Sequence, residues 1–245
     1  MNIYGKMAYI VLALTTAIIC SNSVLAHRPH DDIRSVAVSP GFSEDGIAFI
    51  IVMDGMFLKR TTDHGNRWKL MSNGLDCAYK LSSVAVSPNF TKDRTVFITS
   101  TGDGVFKSLD GGDSWAPMND GIENLKIHKI FISPRFAIDK TVLAINEYGH
   151  LYITRDGGIH WEPFYKAKRK IVSVAFLPSA DSSFGISDVC FGDIGGSFFR
   201  IQKECLAEVA PAQNTGAITS IAVSPYFIED KTIWVGTENK GVFRT

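Results

Sequence analysis

The chain has 245 residues, 45% of them hydrophobic, with 25 basic and 25 acidic side chains. That length and apolar content support a buried core and exclude a disordered chain. A net charge of zero provides no long-range field for polyanions, so nucleic acid is not the implied partner, and binding to a membrane surface is equally unsupported.

At the N-terminus Lys6 precedes an apolar run over residues 7–19, followed by Ser21-Asn-Ser23 and a small-residue exit at Val24-Leu-Ala26. This is the pattern of a secretory signal peptide, residues 1–26, with an apolar run too short to span a bilayer comfortably. A lipoprotein signal through Cys20 is disfavoured by the bulky Ile19 before it. The expected destination is secreted or periplasmic, with no membrane insertion after cleavage. Losing Lys6 and no acid leaves a net charge of −1. Cleavage after Ala26 makes His27 the mature N-terminus, with His30 nearby. An amine and imidazoles suit copper, so His27 and His30 are candidate metal ligands, a solvated lead-in being the alternative. No other cofactor is implied. Three cysteines remain, Cys77, Cys190 and Cys205, which allow at most one disulfide.

From residue 31 a repeat takes over. Its first strand is apolar, β-branched and stopped by proline: Ser35-Val-Ala-Val-Ser-Pro40, Ser83-Val-Ala-Val-Ser-Pro88, Lys129-Ile-Phe-Ile-Ser-Pro134, Ser173-Val-Ala-Phe-Leu-Pro178 and Ser220-Ile-Ala-Val-Ser-Pro225. The five copies are spaced 48, 46, 44 and 47 residues apart. An aromatic and an acid follow in four of them, Phe42 with Asp45, Phe90 with Asp93, Phe136 with Asp139 and Phe227 with Asp230, marking an ordered turn. A second strand, a glycine turn and a third strand complete the approach to an octet. No helical periodicity is present. The first strand reads as the innermost, buried on both faces.

The octets are residues 61–68, 108–115 and 154–161, of form Ser/Thr-x-Asp-x-Gly-x-x-Trp. Their shared positions are Thr61, Asp63, Gly65 and Trp68; Ser108, Asp110, Gly112 and Trp115; and Thr154, Asp156, Gly158 and Trp161. Asp accepts bonds from nearby backbone N–H groups, Gly supplies positive φ, and Trp opens the next strand with a buried ring. Each repeat is therefore four antiparallel strands in roughly 45 residues, the size of a propeller blade. The predicted fold is an all-β propeller over residues 27–245, with repeats at about 31–76, 77–122, 123–166, 167–213 and 214–245. The fourth repeat has no octet, and Cys205 falls where the others have Trp. The last repeat reaches only the first octet position, so the expectation is five blades closed by residues 27–33, or part of a larger propeller.

The octets resemble the Asp-box, or bacterial neuraminidase repeat, of sialidases, sortilin-type receptors and secreted propellers, and the repeat they mark covers nearly all the chain after residue 31. By fold the chain is also similar to the photosystem II assembly propellers, which its Ser-Pro-x-Phe turns do not single out. The sialidase relationship implies an arginine triad, a Tyr/Glu pair and an early Phe/Tyr-Arg-Ile-Pro motif. The nearest string here, Phe199-Arg-Ile-Gln202, lacks the proline and follows the octets, so no catalytic role is carried over.

The turns between strands two and three share a face with the blade-to-blade connections, opposite the octets. That face carries an acid in each turn, Asp54, Asp103, Glu147, Asp193 and Glu238, and connection residues Tyr79, His128, Tyr165 and Arg169 within the basic run 166–170. Facing carboxylates would serve glycoside hydrolysis or hold a hard cation; Asp-Gly and Glu-x-Gly are also ordinary hairpin chemistry. Aromatics with cations would bind a protein or glycan. The expected function is a non-catalytic binding or scaffold module, with a glycosidase or a copper protein as alternatives.

Overall fold

Every predicted repeat folds as an up-and-down meander in which each strand pairs with its neighbour in sequence. The computed structural model describes residues 32–75, 79–178, 189–202, 205–209 and 216–244. Blade 1 contains β1 (Ile33–Val38), β2 (Ile47–Val52), β3 (Phe57–Thr62) and β4 (Lys69–Leu70). Blade 2 contains β5 (Leu81–Val86), β6 (Val96–Ser100), β7 (Gly104–Ser108) and β8 (Ala116–Pro117). Blade 3 contains β9 (Ile127–Ile132), β10 (Val142–Asn146), β11 (Leu151–Thr154) and β12 (Glu162–Tyr165). Blade 4 contains β13 (Ile171–Phe176), β14 (Val189–Asp193), β15 (Phe198–Gln202) and β16 (Cys205–Val209), and blade 5 contains β17 (Ile218–Val223), β18 (Ile233–Thr237) and β19 (Val242–Arg244).

The aromatic-acid turns are not irregular. They form one-turn helices, α1 (Phe42–Asp45), α2 (Phe90–Asp93), α3 (Phe136–Asp139) and α4 (Phe227–Asp230), too short for any helical period to show in the sequence. The acid explains itself here: Ser87 and Ser133 each donate to Asp93 and Asp139 at 2.7 Å, and the other carboxylate oxygen takes the N–H of Thr95 or Thr141 at 2.9 Å. Ser39 and Ser224 clamp Asp45 and Asp230 in the same way. The serine ahead of the proline in these four blades thus ties the end of the first strand to the start of the second.

Neighbouring blades join by a repeated plug and socket. In the joints between blades 1 and 2 and between blades 2 and 3, the second strand of one blade points a phenylalanine at the octet and helical turn of the next. Phe49 meets Phe90 edge-on at 6.1 Å, and a methyl added to Gly112 would come within 2.8 Å of its ring. One joint along, Phe97 meets Phe136 at 5.9 Å and Gly158 at 3.0 Å by the same measure. The receiving glycines lie at positive φ, 93° and 95°, so a side chain there would be both strained and obstructed. Trp115 and Trp161 are buried in these two cores. Full burial of a side chain this size contributes about 1.5–3 kcal/mol. A cation on strand three completes the joint: Arg60 donates to the Gly111 carbonyl at 2.6 Å, and Lys107 to that of Gly157 at 2.7 Å.

Registers place Leu143, Cys190 and Trp234 at the plug position of blades 3, 4 and 5. Leu143 enters the core shared with blade 4, and Cys190 that shared with blade 5. Cys190 is a buried free thiol, pushed up to about 12 by desolvation. β15 separates it from β16, where Cys205 lies; the side chain of Cys205, like Cys77, Thr245 and residues 27–31, falls outside the described residues.

The innermost strand is not buried on both faces in every blade. Val84 and Val86 of β5 pack on blade 1, but their counterparts in β1, Val36 and Val38, are half exposed because no described blade covers that side. Ile33 pairs with Val52 inside blade 1, so it does not complete blade 5. Among the described residues blade 5 has three strands.

Candidate functional site

Each innermost strand carries a β-bulge at its second residue, Arg34, Ser82, His128, Val172 and Thr219. A bulge breaks the alternation and re-aims one side chain, and here it does so at the same level in all five blades. Ser82 uses its new direction to donate to the Ile127 carbonyl at 2.6 Å. His128 is half-buried; burial, then the charges of Lys170 and Arg34, hold its imidazole below the ordinary range. Residues from blade 1 and from the entry to blade 4 therefore act on a group in blade 3, as expected when inner strands converge.

The turn acids sit on this face, and most are occupied. Asp54 binds Lys80 and, at 2.8 Å, Arg34; the Lys80 hydrogen bond and charge hold its carboxyl low. Asp103 accepts from Ser100 at 2.8 Å and from the Tyr79 N–H at 3.0 Å. Glu147 accepts from Asn124 and Lys126, both at 3.3 Å, which outweighs the opposing effect of burial. Buried Asp193 caps its own turn through the N–H groups of Gly195 and Ser197 at 2.8 and 2.9 Å. Glu238 is exposed, and its N–H donates to the Ala217 carbonyl. These bonds are hairpin closure and ion pairing. No group of three or more His, Cys, Asp or Glu among the described residues is arranged to hold a metal ion. His27 and His30 lie outside those residues.

Two clefts open on this face. The first, about 660 Å³, lies where blades 1 and 2 meet and is lined by Met56, Leu58, Leu70, Met71, Leu75 and Tyr79, among others. Met56, Leu70 and Tyr79 are exposed large apolar groups, so the cleft is an open apolar surface. The Tyr79 ring lies so close over Gly102 that a methyl there would fall 2.3 Å from it. Its lip is a tight turn, with Met53 and Asp54 both at positive φ, 52° and 53°. A methionine in that region costs roughly 1–2 kcal/mol, strain of the kind found at ligand-contacting turns. The second cleft, about 600 Å³, lies at the entry to blade 4 and is lined by Tyr165, Lys166, Lys168, Arg169, Asp193 and Phe199. Tyr165, Phe191 and Phe199 stack there, Phe191 to Phe199 at 5.1 Å.

The structure thus gathers Asp54, Tyr79 and Asp103 at the first cleft and Tyr165, Arg169 and Asp193 at the second. His128 feels Glu147 between them. Sequence reasoning missed Arg34 and the apolar wall; the one available signal was Met53-Asp-Gly-Met56, methionines where a turn is normally polar.

The opposite face shows what the octets do. Ser108 donates to Asp110 at 2.7 Å and accepts from Gly112 N–H at 2.7 Å, while the Ser114 N–H donates to Asp110 at 2.9 Å. Burial would raise the Asp110 carboxyl, but the bonds from Ser114 and Ser108 overcome it and hold it at about 2. Thr61 with Asp63 and Gly65, and Thr154 with Asp156 and Gly158, repeat the pattern.

No family model matches the sequence, and no curated protein is significantly similar to it. Solved structures are. YCF48 bound to a D1 peptide superposes with TM-score 0.64 at 14% identity, over 91% of this chain and 65% of that one. YCF48 from Cyanidioschyzon merolae gives 0.60 at 16%, over 89% and 68%. The GH74 xyloglucanase from Xanthomonas campestris gives 0.64 at 16%, over 87% and 36%. The fold is that of a β-propeller. The chain spans about two thirds of the YCF48 chains and about a third of the xyloglucanase, and identities this low speak to architecture alone.

Proposed function

We propose that the chain is an exported Asp-box repeat propeller acting as a non-catalytic binding module, which takes an extended segment of a protein partner into the cleft between blades 1 and 2. The observation that carries this reading is the cleft itself: an open apolar surface of ligand-site size, walled by methionine and leucine, with its charged groups paired at the rim. Methionine adapts its shape to apolar side chains and is favoured on surfaces that accept peptides. That YCF48, similar in fold, was solved with a D1 peptide supports a protein partner. Hydrolysis of a glycoside needs two carboxylates facing across a pocket, and the turn acids Asp54, Asp103, Glu147 and Asp193 are instead spent on their own surroundings. The signal-like residues 1–26 support export; among the described residues no helix is long and apolar enough to cross a membrane.

A second reading rests on the other cleft, where Lys166, Lys168 and Arg169 over stacked aromatics suit an acidic glycan. The two are separated by panning a peptide library and an acidic-glycan array against the chain. We expect peptides with apolar anchors whose affinity falls about tenfold or more in Met56→Asp, about 1.4 kcal/mol at a hot-spot contact, and is unchanged in Arg169→Ala. Glycan binding abolished by Arg169→Ala, with no peptide selected, contradicts the first reading and favours the second. Copper binding at His27 and His30 is a separate proposal; a titration unaltered by His27→Ala removes it.

A further inference from the structure

The outermost strands of blades 1, 2 and 3 follow one register, and blade 1 departs from the other two at a single residue. In blade 2 the Met118 N–H donates to the Val105 carbonyl at 2.8 Å, and Pro117 and Ala116 lie opposite Phe106 and Lys107. Antiparallel pairs alternate between bonded and unbonded, so Pro117 sits in an unbonded pair, where a backbone N–H would point away from the sheet. Pro163, opposite Tyr152, holds the same place in blade 3. Proline there leaves the outer edge without a donor, one of the ways proteins stop a further strand from adding. In blade 1 the Met71 N–H donates to the Leu58 carbonyl at 2.9 Å and Leu70 lies opposite Lys59, so the residue at this place is Leu70. Its N–H and C=O therefore both point out of the sheet, and no described turn or loop bonds them. Exposure belongs to the position: Ala116, Pro117, Glu162 and Pro163 are exposed too, in blades flanked on both sides. Toward Ser72 the edge closes, because the Leu75 N–H takes the Ser72 carbonyl. Leu70 is 48% exposed and is also a wall residue of the apolar cleft between blades 1 and 2. The outer strand of blade 4, β16, lacks proline as well, but the cleft at that blade is cationic.

Building on the cleft reading above, we propose that the partner's segment is recognised through its main chain. It runs as an extended strand along β4, exchanges N–H to C=O bonds with Leu70, and turns alternate side chains toward Met56, Leu75 and Tyr79. The occupant is an extended segment because an outward donor and acceptor on one edge residue match another strand's backbone, while the apolar wall beside them matches every second side chain. Selected peptides should accordingly carry apolar anchors two residues apart; a helix lying in the cleft would carry them three or four apart.

The test is calorimetric titration of the tightest peptide from the library into the wild type, Leu70→Ala, Leu70→Pro and Met56→Asp. Blades 2 and 3 already hold proline at this position, so Leu70→Pro should keep the fold, which unchanged thermal melting verifies. Leu70→Ala removes the same side chain but retains the N–H. Leu70→Pro is expected to bind about tenfold more weakly than Leu70→Ala, because a carbonyl of the peptide loses its donor. Equal affinity of these two variants, with Met56→Asp still weakened, overturns main-chain pairing and leaves the cleft reading standing. Affinity unchanged in Met56→Asp as well, or a library that yields no peptide, removes the cleft reading and the pairing with it. N-methylation of the peptide amides one at a time, measured on the wild type, checks the pairing without any variant: a similar loss at one amide supports it, and tolerance at every amide overturns it.

Discussion

The joint between blades 1 and 2 and the joint between blades 3 and 4 occupy the same registers but are made of different parts. In the first, Phe49 fills the recess at Gly112 and Arg60 latches onto Gly111. In the second, the receiving blade has no octet; the plug is Leu143, and Ile153 stands where Arg60 and Lys107 stand elsewhere. Loss of the octet thus goes together with loss of the cation that would have served it. The clefts above differ in step: an apolar one over the sealed joint, a cationic one over the altered joint. The octet thus acts as the receiving half of a joint.

The largest effect expected on this contrast comes from the plugs. Phe97→Ala should lower the unfolding free energy by about 3–5 kcal/mol, as other buried Phe truncations do, whereas Cys190→Ala at the same register should cost about 1 kcal/mol. Chemical denaturation of both variants measures the difference, and equal losses would break the comparison. Next is the latch. Lys107→Met should cost about 1–2 kcal/mol by leaving the Gly157 carbonyl without its charged donor, measured by the same denaturation.

A smaller effect is pH-dependent. The Asp110 carboxyl is held at about 2 in the folded chain, against about 3.9 when unfolded. A lowered folded value means that its contribution is complete above about pH 4 and is lost as pH falls towards 2. Because Asp110 is exposed, solvent screening reduces that contribution to about 1 kcal/mol or less. Asp110→Asn should flatten stability across that window, and an unchanged slope would remove the octet's electrostatic role. The smallest is at the lip of the apolar cleft, where Met53→Asn should stabilise by about 0.5 kcal/mol, since Asn tolerates positive φ.

Much of the fold was legible because it repeats. Five proline-stopped strands at near-constant spacing, and three octets, announce blades whatever their neighbours are. The helical turns were hidden since four residues are shorter than two turns of a helix. The bulge at Arg34 was hidden because it shifts the alternation by one residue without altering composition. The joints were half legible: Trp115 and Trp161 stand out, but Phe49, Leu143 and Cys190 share a role only through register. The apolar cleft was the least legible, since Met56, Leu70, Leu75 and Tyr79 come from separate stretches and no period relates them.

Binding of a protein partner in the cleft between blades 1 and 2 is decided by backbone hydrogen exchange of the chain with and without a saturating selected peptide. Protection is expected only in the segments around Met56, Leu70 to Leu75 and Tyr79 to Leu81. Protection centred instead on residues 165–171 and 193–199, with the first cleft unchanged, would contradict it.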